Sequence, residues 1–328
     1  MANHSGVLDF EIIGFPGLNP KFEILVSSVL FSVYIMSLVA NGTVIILTVN
    51  KKNLHQPMYA FIGNLALSDL LFDTITLPKI IAKYWCGDGL ISFPGCITQL
   101  FFVHFFGIVD SFIIMLMALD RYVAICKPLI YCSIMTNKVT AILCYIFWFL
   151  AAVLNFYNPY MIAQFNFCGN TIKNCYCVSI VMYSLSCTDI STVLQVSFTI
   201  AMFVLLVPLS FIIASYIIII KTIYSSSRSD SWQKAFYTCT THLLVISLYY
   251  LPRVSVYLCN LFRVAINADL NILILCLYTY IPHLASPIIY CLRTEEILKT
   301  LHRFTKRENY FRGKLKPRVG FTRQVAAF

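Results

Sequence analysis

The stretch GCITQLFFVHFFGIVDSFIIMLMALDRYVAICKPLIY covers residues 95–131 and is mostly apolar until Asp120 and Arg121 close the run. An α-helix rises about 1.5 Å per residue, so a helix from Cys96 to Arg121 would be roughly 37 Å long. The hydrocarbon core of a bilayer is about 30 Å thick. The stretch therefore predicts a membrane-spanning helix with Cys96 at one surface and Arg121 at the other.

The rest of the chain is similarly apolar. Hydrophobic residues make up 59% of its 328 residues and charged residues only 12%, against about 25% charged in a typical soluble domain. Seven stretches are long enough to cross a bilayer as helices, which satisfy their own backbone polar groups in lipid. These stretches run near 24–49, 58–82, 97–125, 139–158, 193–220, 236–262 and 270–292. The sequence predicts an all-α membrane protein, with a seven-transmembrane helix bundle over 24–292 between an N-terminal segment, 1–23, and a tail, 293–328.

The distribution of basic residues predicts the orientation of the bundle. The net charge of +10 is concentrated on one side of the predicted spans, as expected for cytoplasmic loops. The basic residues on that side are Lys51, Lys52, Arg121, Lys127, Lys138, Lys221, Arg228, Lys234 and those of the tail from Arg293. We therefore expect membrane lipids rather than nucleic acid as partners, and a multi-pass plasma membrane protein with an extracellular N-terminus. The sequon Asn3-His4-Ser5 then predicts glycosylation of Asn3.

Two acids lie at membrane depth. Asp69 is about 18 Å along the second span from Pro57, and Asp110 lies about three turns before Arg121. Buried carboxylates repel unless they are protonated or bridged by a cation. One hypothesis is a Na⁺ ion held by Asp69 and Asp110; the alternative is protonated acids bonded to neighbouring hydroxyls. The other oxygen donors predicted for the ion are Asn41, Ser111 and Ser286.

Other function classes are less well supported. The two halves of the chain show no repeat, which disfavours a transporter, although a transporter or channel using Asp69 and Asp110, with Arg253, as a charge relay is an alternative. The sequence contains no phosphate-binding loop and no dinucleotide or metal motif. We therefore expect no enzyme activity and, apart from Na⁺, no cofactor.

Several motifs resemble those of the rhodopsin-like (class A) G-protein-coupled receptors and, more narrowly, of the odorant (olfactory) receptor family. The motifs are LHQPMYAFIGNLALSD (54–69), MALDRYVAICKPLIY (117–131), Ser215-Tyr216, KAFYTCTTHL (234–243) and SPIIY (286–290). The segment RTEEI (293–297) is similar to the fish or class I type. One departure is Ser286, where the family has asparagine before the proline. The resemblance implies a short amphipathic helix after the seventh span.

The resemblance also implies a function. A small-molecule odorant would bind in the outer half of the bundle and activate a stimulatory, olfactory-type G protein that raises cAMP. The residues expected to form the G-protein switch are Asp120, Arg121, Tyr122, Tyr216, Lys234, His242 and Tyr290. The family pattern pairs Cys96 with Cys177 and suggests Cys168 with Cys187, which leaves Cys175 over.

The ligand is predicted less sharply. The candidate pocket residues, chosen by their depth in the spans, are His104, Gly107, Ile108, Ile200, Arg253, Tyr257, Cys276 and Thr279. An arginine inside a membrane span indicates function, and a carboxylate or sulfate ligand would pair with Arg253 bidentately. The alternative is that Arg253 extends outward along the apolar surface or pairs with Asp269 at the rim. A seven-helix receptor for a non-odorant small ligand is the runner-up function.

Overall fold

The computed structural model describes residues 9–50, 56–225, 229–261 and 267–293. Its α-helices are α1 (Glu23–Asn50), α2 (Pro57–Cys86), α3 (Phe93–Cys126), α4 (Tyr131–Ile134), α5 (Asn137–Ile162), α6 (Ser179–Leu185), α7 (Ser191–Ser225), α8 (Ser229–Leu261) and α9 (Ala268–Arg293). All but α4 and α6 exceed the roughly 20 residues needed to cross a bilayer. The long helices coincide with the seven predicted spans and continue past most of their predicted ends. The predicted amphipathic helix and Asn3 lie outside the described residues.

Local sequence signals set both ends of α2 and the start of α3. Pro57 begins α2, where its missing N–H costs no hydrogen bond. Gly87 ends α2 in the left-handed conformation, with φ 72°, which glycine adopts without a Cβ penalty. The hydroxyl of Ser92 caps α3 by accepting from the Gly95 N–H at 3.3 Å.

Helix α3 lies at the centre of the bundle. It packs against α2, α5, α7 and α8, and 72% of its most apolar segment is buried, against 22% for α1 and α5. The outer faces of α1, α5 and α7 instead expose large apolar side chains such as Ile24, Phe149 and Ile217. An apolar outer surface of this kind matches lipid.

The helices differ in how apolar they are. Among the described residues, five helices are long and apolar enough to cross a membrane: Pro20–Asn50, Phe93–Cys126, Asn137–Ile162, Ser191–Ser225 and Ala268–Cys291. The other two long helices carry polar side chains within their length, Asp69 and Asp73 in α2 and His242 and Arg253 in α8. These polar residues lie in the sites described below.

A small sheet that the sequence did not predict covers one end of the bundle. Strand β1 (Asp9–Ile12) lies between β2 (Leu90–Ser92) and β3 (Thr171–Ile172), antiparallel to β2 and parallel to β3. Phe10 and Ile12 have no exposed surface. The N-terminal segment is therefore part of the fold, and this sheet is an addition to the expected all-α architecture.

Two disulfides lie at the same end. Cys96, in the first turn of α3, is bonded to Cys177 in the segment between α5 and α7, and Cys168 is bonded to Cys187 within that segment. These are the two pairs that the resemblance implied. We call this end of the bundle the disulfide end and the opposite end the Arg121 end.

Candidate functional site

The segment 174–178 closes the disulfide end, and we call it the plug. All five of its residues are buried. The Cys177 N–H donates to Gln99 Oε1 of α3 at 2.9 Å, and the ring of Tyr176 meets that of Phe72 edge to face at 5.9 Å. Burial raises the pKa of Tyr176 well above its usual value, so its phenol stays neutral. Cys276 of α9, a predicted pocket residue, lies directly beneath the plug, with its Sγ 3.6 Å from Cys175 Sγ, and Thr279 further along α9 is also buried.

Arg253 lies inside the bundle. Its Nη1 donates to the backbone oxygen of Tyr249 at 2.9 Å, and its guanidinium lies 3.6 Å from the centre of the Tyr249 ring. Tyr249 in turn donates to the backbone oxygen of Gly107 at 2.5 Å. The structure therefore connects two predicted pocket residues, Arg253 of α8 and Gly107 of α3, through one tyrosine.

The predicted pairing of Arg253 with Asp269 is wrong. Asp269 accepts hydrogen bonds at 3.0 and 3.1 Å from the Gly17 N–H and so fastens the N-terminal segment to the start of α9. Among the described residues, no carboxylate lies within 4.0 Å of the Arg253 guanidinium. Arg253 is thus a half-buried cation without an anionic partner in that part of the chain.

The other predicted pocket residues divide into groups. His104 of α3 forms a hydrogen bond with α6, since its Nε2 is 2.7 Å from Ser179 Oγ. Cys276 touches the plug through Cys175, beside Thr279. Ile108 is buried and Ile200 packs against the core of the bundle, whereas the side chain of Tyr257 lies outside the described part of the structure.

A cluster of acids surrounds His283, a residue that sequence reasoning missed. His283 Nδ1 is 2.7 Å from Asp73 Oδ1, and its Nε2 is 3.4 Å from Asp69 Oδ1. Ligand atoms of Asp69, Asp110 and His283 lie within 4.8 Å of one another. The only sequence signal for this cluster was a histidine in the seventh predicted span, together with the acids Asp69 and Asp73 in the second predicted span. Asp73 is the nearer partner of that histidine.

The structure brings only some of the residues predicted to coordinate Na⁺ through their oxygen atoms to this cluster. Asn41 Nδ2 donates to the backbone oxygen of His283 at 3.1 Å. The Oδ1 atoms of Asn41 and Asp110 are buried and have no partner within the described residues. Ser111 contacts α7 and α8 instead, through Val204 O at 3.0 Å and Tyr250 Oη at 2.8 Å. Ser286 is buried.

Asp120 and Arg121, two of the residues predicted to form the switch, form an ion pair at the Arg121 end. Arg121 Nη2 donates to Asp120 Oδ2 at 2.8 Å, and the Asp120 side chain is fully buried. Tyr131 Oη donates to the other carboxylate oxygen at 2.9 Å, a contact that sequence reasoning missed. Burial, followed by the charge of Asp120, raises the pKa of Tyr131, so this tyrosine remains a donor.

The other predicted switch residues surround this pair. Tyr216, His242 and Tyr290 are buried, and the rings of His242 and Tyr290 are 5.8 Å apart. Tyr216 Oη and Arg121 Nε are buried without a hydrogen-bond partner among the described residues. Tyr122 is half-buried, and the side chain of Lys234 lies outside the described part.

Together, these features define the class of the protein. Seven packed helices, a loop tied by a disulfide to the start of the third long helix, and a buried Asp–Arg pair near the end of that helix are those of a rhodopsin-like seven-helix receptor.

The comparisons show the family. The family model described as "Olfactory receptor" matches residues 30–307. Human olfactory receptor 6Y1 is 35% identical over 92% of this chain and 93% of its own length, and human olfactory receptor 52B6 is 36% identical over 88% and 86%. Rat olfactory receptor 1 is 33% identical over 93% and 97%. The chain belongs to the olfactory receptor family of class A G-protein-coupled receptors.

Membership of this family confirms the predicted seven-transmembrane bundle and odorant-receptor function. The protein is a multi-pass plasma membrane receptor for small-molecule odorants and not an enzyme. The fish or class I assignment stays a prediction.

Proposed function

We propose that an odorant binds beneath the plug and that the receptor then activates a stimulatory, olfactory-type G protein at the Arg121 end, which raises cAMP. The observation that carries this proposal is the fully buried Asp120, held at once by Arg121 and Tyr131. Burying a charge pair is costly, because both ions lose their hydration. This cost is explained if the Asp120–Arg121 pair breaks on activation and releases the Arg121 guanidinium to contact the G protein.

The surroundings of Arg121 favour such a release. Arg121 Nε and Tyr216 Oη both lack partners within the described residues. An unsatisfied buried polar group costs about 1–3 kcal/mol. An arrangement that pairs these groups with each other, or with a G protein, would recover that cost. The resting state is thus only moderately favoured, as a switch requires.

The proposed ligand is a small carboxylic acid. Arg253 offers a half-buried guanidinium without a carboxylate partner in the described part of the chain. Arg253 contacts Tyr249 of α8, and Tyr249 donates a hydrogen bond to the backbone oxygen of Gly107 in α3. A displacement of Arg253 would therefore be transmitted from α8 to α3. A bound carboxylate would compete with the Tyr249 carbonyl for the guanidinium and so alter that connection.

We place the disulfide end outside the cell and the basic loops inside. Disulfides persist in oxidising compartments, and Lys and Arg are enriched in cytoplasmic loops. On this orientation Asn3 is available for glycosylation, and the apolar outer faces of α1, α5 and α7 contact membrane lipids.

A Na⁺ ion in the bundle core fits the residues present. The unpaired Oδ1 atoms of Asp110 and Asn41 are oxygen acceptors of the type that hard cations prefer, and Asp69 adds a second carboxylate. We propose that these three residues hold the ion, which would supply positive charge between the acids. His283, which already contacts Asp69, would compete with it.

The ion is tested by ligand titrations in sodium chloride and in choline chloride. We expect Na⁺ to shift the half-maximal concentration of the most active acid for the wild type but not for Asp110→Asn. Ser111→Ala is the matched control, because Ser111 contacts Val204 and Tyr250 instead of the acids, and it should keep the shift. If replacing choline chloride by sodium chloride shifted the half-maximal concentration equally in the wild type and in Asp110→Asn, the ion would be excluded.

The main proposal is tested in cells that express the receptor at their surface and no related receptor. Short straight-chain carboxylic acids and the alcohols of the same length are compared for cAMP production. We expect acids to be the stronger agonists, and Arg253→Gln to weaken acid responses by about 10–100-fold, as expected for a lost charged hydrogen bond. Ligand-gated current without cAMP would instead support the channel alternative. Unchanged acid responses in Arg253→Gln would exclude the assigned role of Arg253.

A further inference from the structure

Two cysteines outside the known disulfides meet at the plug. Cys175 Sγ, in the plug, is 3.6 Å from Cys276 Sγ of α9, although the residues are 101 positions apart in the chain. Both are buried, with 1% and 7% of their surfaces exposed. The two sulfur atoms are therefore in contact, one on a loop and the other on a long helix.

We propose that Cys175 and Cys276 form a third disulfide, which joins the plug to α9. A disulfide has sulfurs about 2.05 Å apart, so the two sulfurs, 3.6 Å apart in the structure, must approach by roughly 1.5 Å. Each thiol loses one proton and together they lose two electrons. The electrons reduce a protein or small-molecule disulfide of the secretory compartment to two thiols, by exchange through a mixed disulfide.

The bond forms before the plug is packed. The contact with Cys276 and burial both raise the pKa of the Cys175 thiol well above its usual value. Because the thiolate is the reactive form, a packed Cys175 exchanges slowly. An exposed loop in an oxidising compartment exchanges readily, and packing then protects the finished bond.

The consequence is a plug with two covalent anchors. Cys177 fixes it to α3 through Cys96, and Cys175 fixes it to α9, with Tyr176 held between them. The plug would then follow any movement of α9 relative to α3. The outer closure and the helix that carries Thr279 would move as one unit.

Counting thiols tests the proposal on the full-length receptor. The protein is denatured in acid, alkylated with a maleimide without reduction and weighed by mass spectrometry. Two disulfides leave nine of the thirteen cysteines free, and a third leaves seven. The variants Cys175→Ala and Cys276→Ala each release one partner, so the proposal expects the count to rise from seven to eight in either. A wild-type count of nine that falls to eight in both variants overturns it.

A matched control excludes labelling artefacts. Cys144 is a buried free cysteine of α5, away from the plug, and Cys144→Ala should lower the count by one. Chymotrypsin cleaves after Tyr176 and so separates Cys175 from Cys177. The proposal expects a non-reduced peptide pair that joins Cys175 to Cys276. Recovery of Cys175 in alkylated form, or joined to another cysteine, overturns it.

Discussion

At the scale of single residues, Asp120 is held at both of its carboxylate oxygens. Its carboxylate is fully buried, with Arg121 at one oxygen and Tyr131 at the other. Hydrogen bonds to a charged group contribute about 1.5–3 kcal/mol each, so the loop tyrosine is a substantial part of the restraint on the pair. Tyr131 lies in α4, beyond the end of α3, and thereby connects the loop to the switch.

Replacing Tyr131 tests this restraint. We expect Tyr131→Phe to raise ligand-independent cAMP about 10-fold, the effect of roughly 1.4 kcal/mol, because the Asp120 carboxylate loses one of its two donors. The measurement is basal cAMP normalised to surface expression. Tyr145→Phe is the control, since Tyr145 is 72% exposed on α5. Basal cAMP equal in the two variants would show that Tyr131 does not restrain the pair.

His283 gives a second residue-scale prediction. It contacts Asp73 and Asp69 of α2 from α9, and removing one partner of a buried charge pair costs about 3–5 kcal/mol. We expect His283→Leu to lower the melting temperature of the detergent-solubilised receptor strongly. Adding Asp73→Asn should restore part of it, because a buried amide tolerates the loss better than a carboxylate. A double variant no more stable than His283→Leu would contradict the pairing.

At the scale of elements, the covering of the disulfide end is built from parts far apart in the chain. The short strand β1 pairs with β2 and β3, and the Phe15 N–H that follows it donates to Tyr84 Oη of α2 at 3.0 Å. Gly14, between these contacts, has φ 69°, and a Cβ there would overlap Tyr84. The N-terminal segment needs glycine for both its conformation and the space.

Alanine substitutions separate those two requirements. Gly14→Ala adds both backbone strain and the overlap with Tyr84, whereas Gly87→Ala adds strain alone, since Gly87 has φ 72° and open space around it. A left-handed conformation costs a non-glycine residue about 1–2 kcal/mol. We expect both variants to lower the melting temperature of the solubilised receptor, and Gly14→Ala to lower it more. Equal losses would show that the contact with Tyr84 adds nothing.

At the scale of the whole molecule, hydropathy and motifs were enough to predict the bundle. Residues 97–125 predicted α3 because an apolar run of that length has few alternatives, and the motif around Arg121 drew attention to the residues of the Asp120–Arg121 pair. The contacts of His283 with Asp73, 210 positions away, and the pairing of β1 with β3 could not be predicted. Such contacts depend on how helices and loops pack, which no local pattern records. Ser111 illustrates the same limit, since its helix was predicted correctly and its partners were not.

The proposed function implies that the two ends of the molecule influence each other. If an acid beneath the plug favours release of Arg121, then a G protein bound at the Arg121 end must tighten acid binding by the same factor. Coupling of this kind is typically about 5–150-fold. The connection from Arg253 through Tyr249 to Gly107 is the proposed route between the sites.

The most direct test of this account is therefore to measure the affinity of the receptor for its acid ligand with and without the G protein. The most active acid is titrated against the purified receptor in lipid nanodiscs, with and without a nucleotide-free stimulatory G protein. We predict that the G protein lowers the dissociation constant about 5–150-fold and that it has no such effect on Arg121→Ala. Equal affinities of the wild-type receptor with and without the G protein would contradict the account.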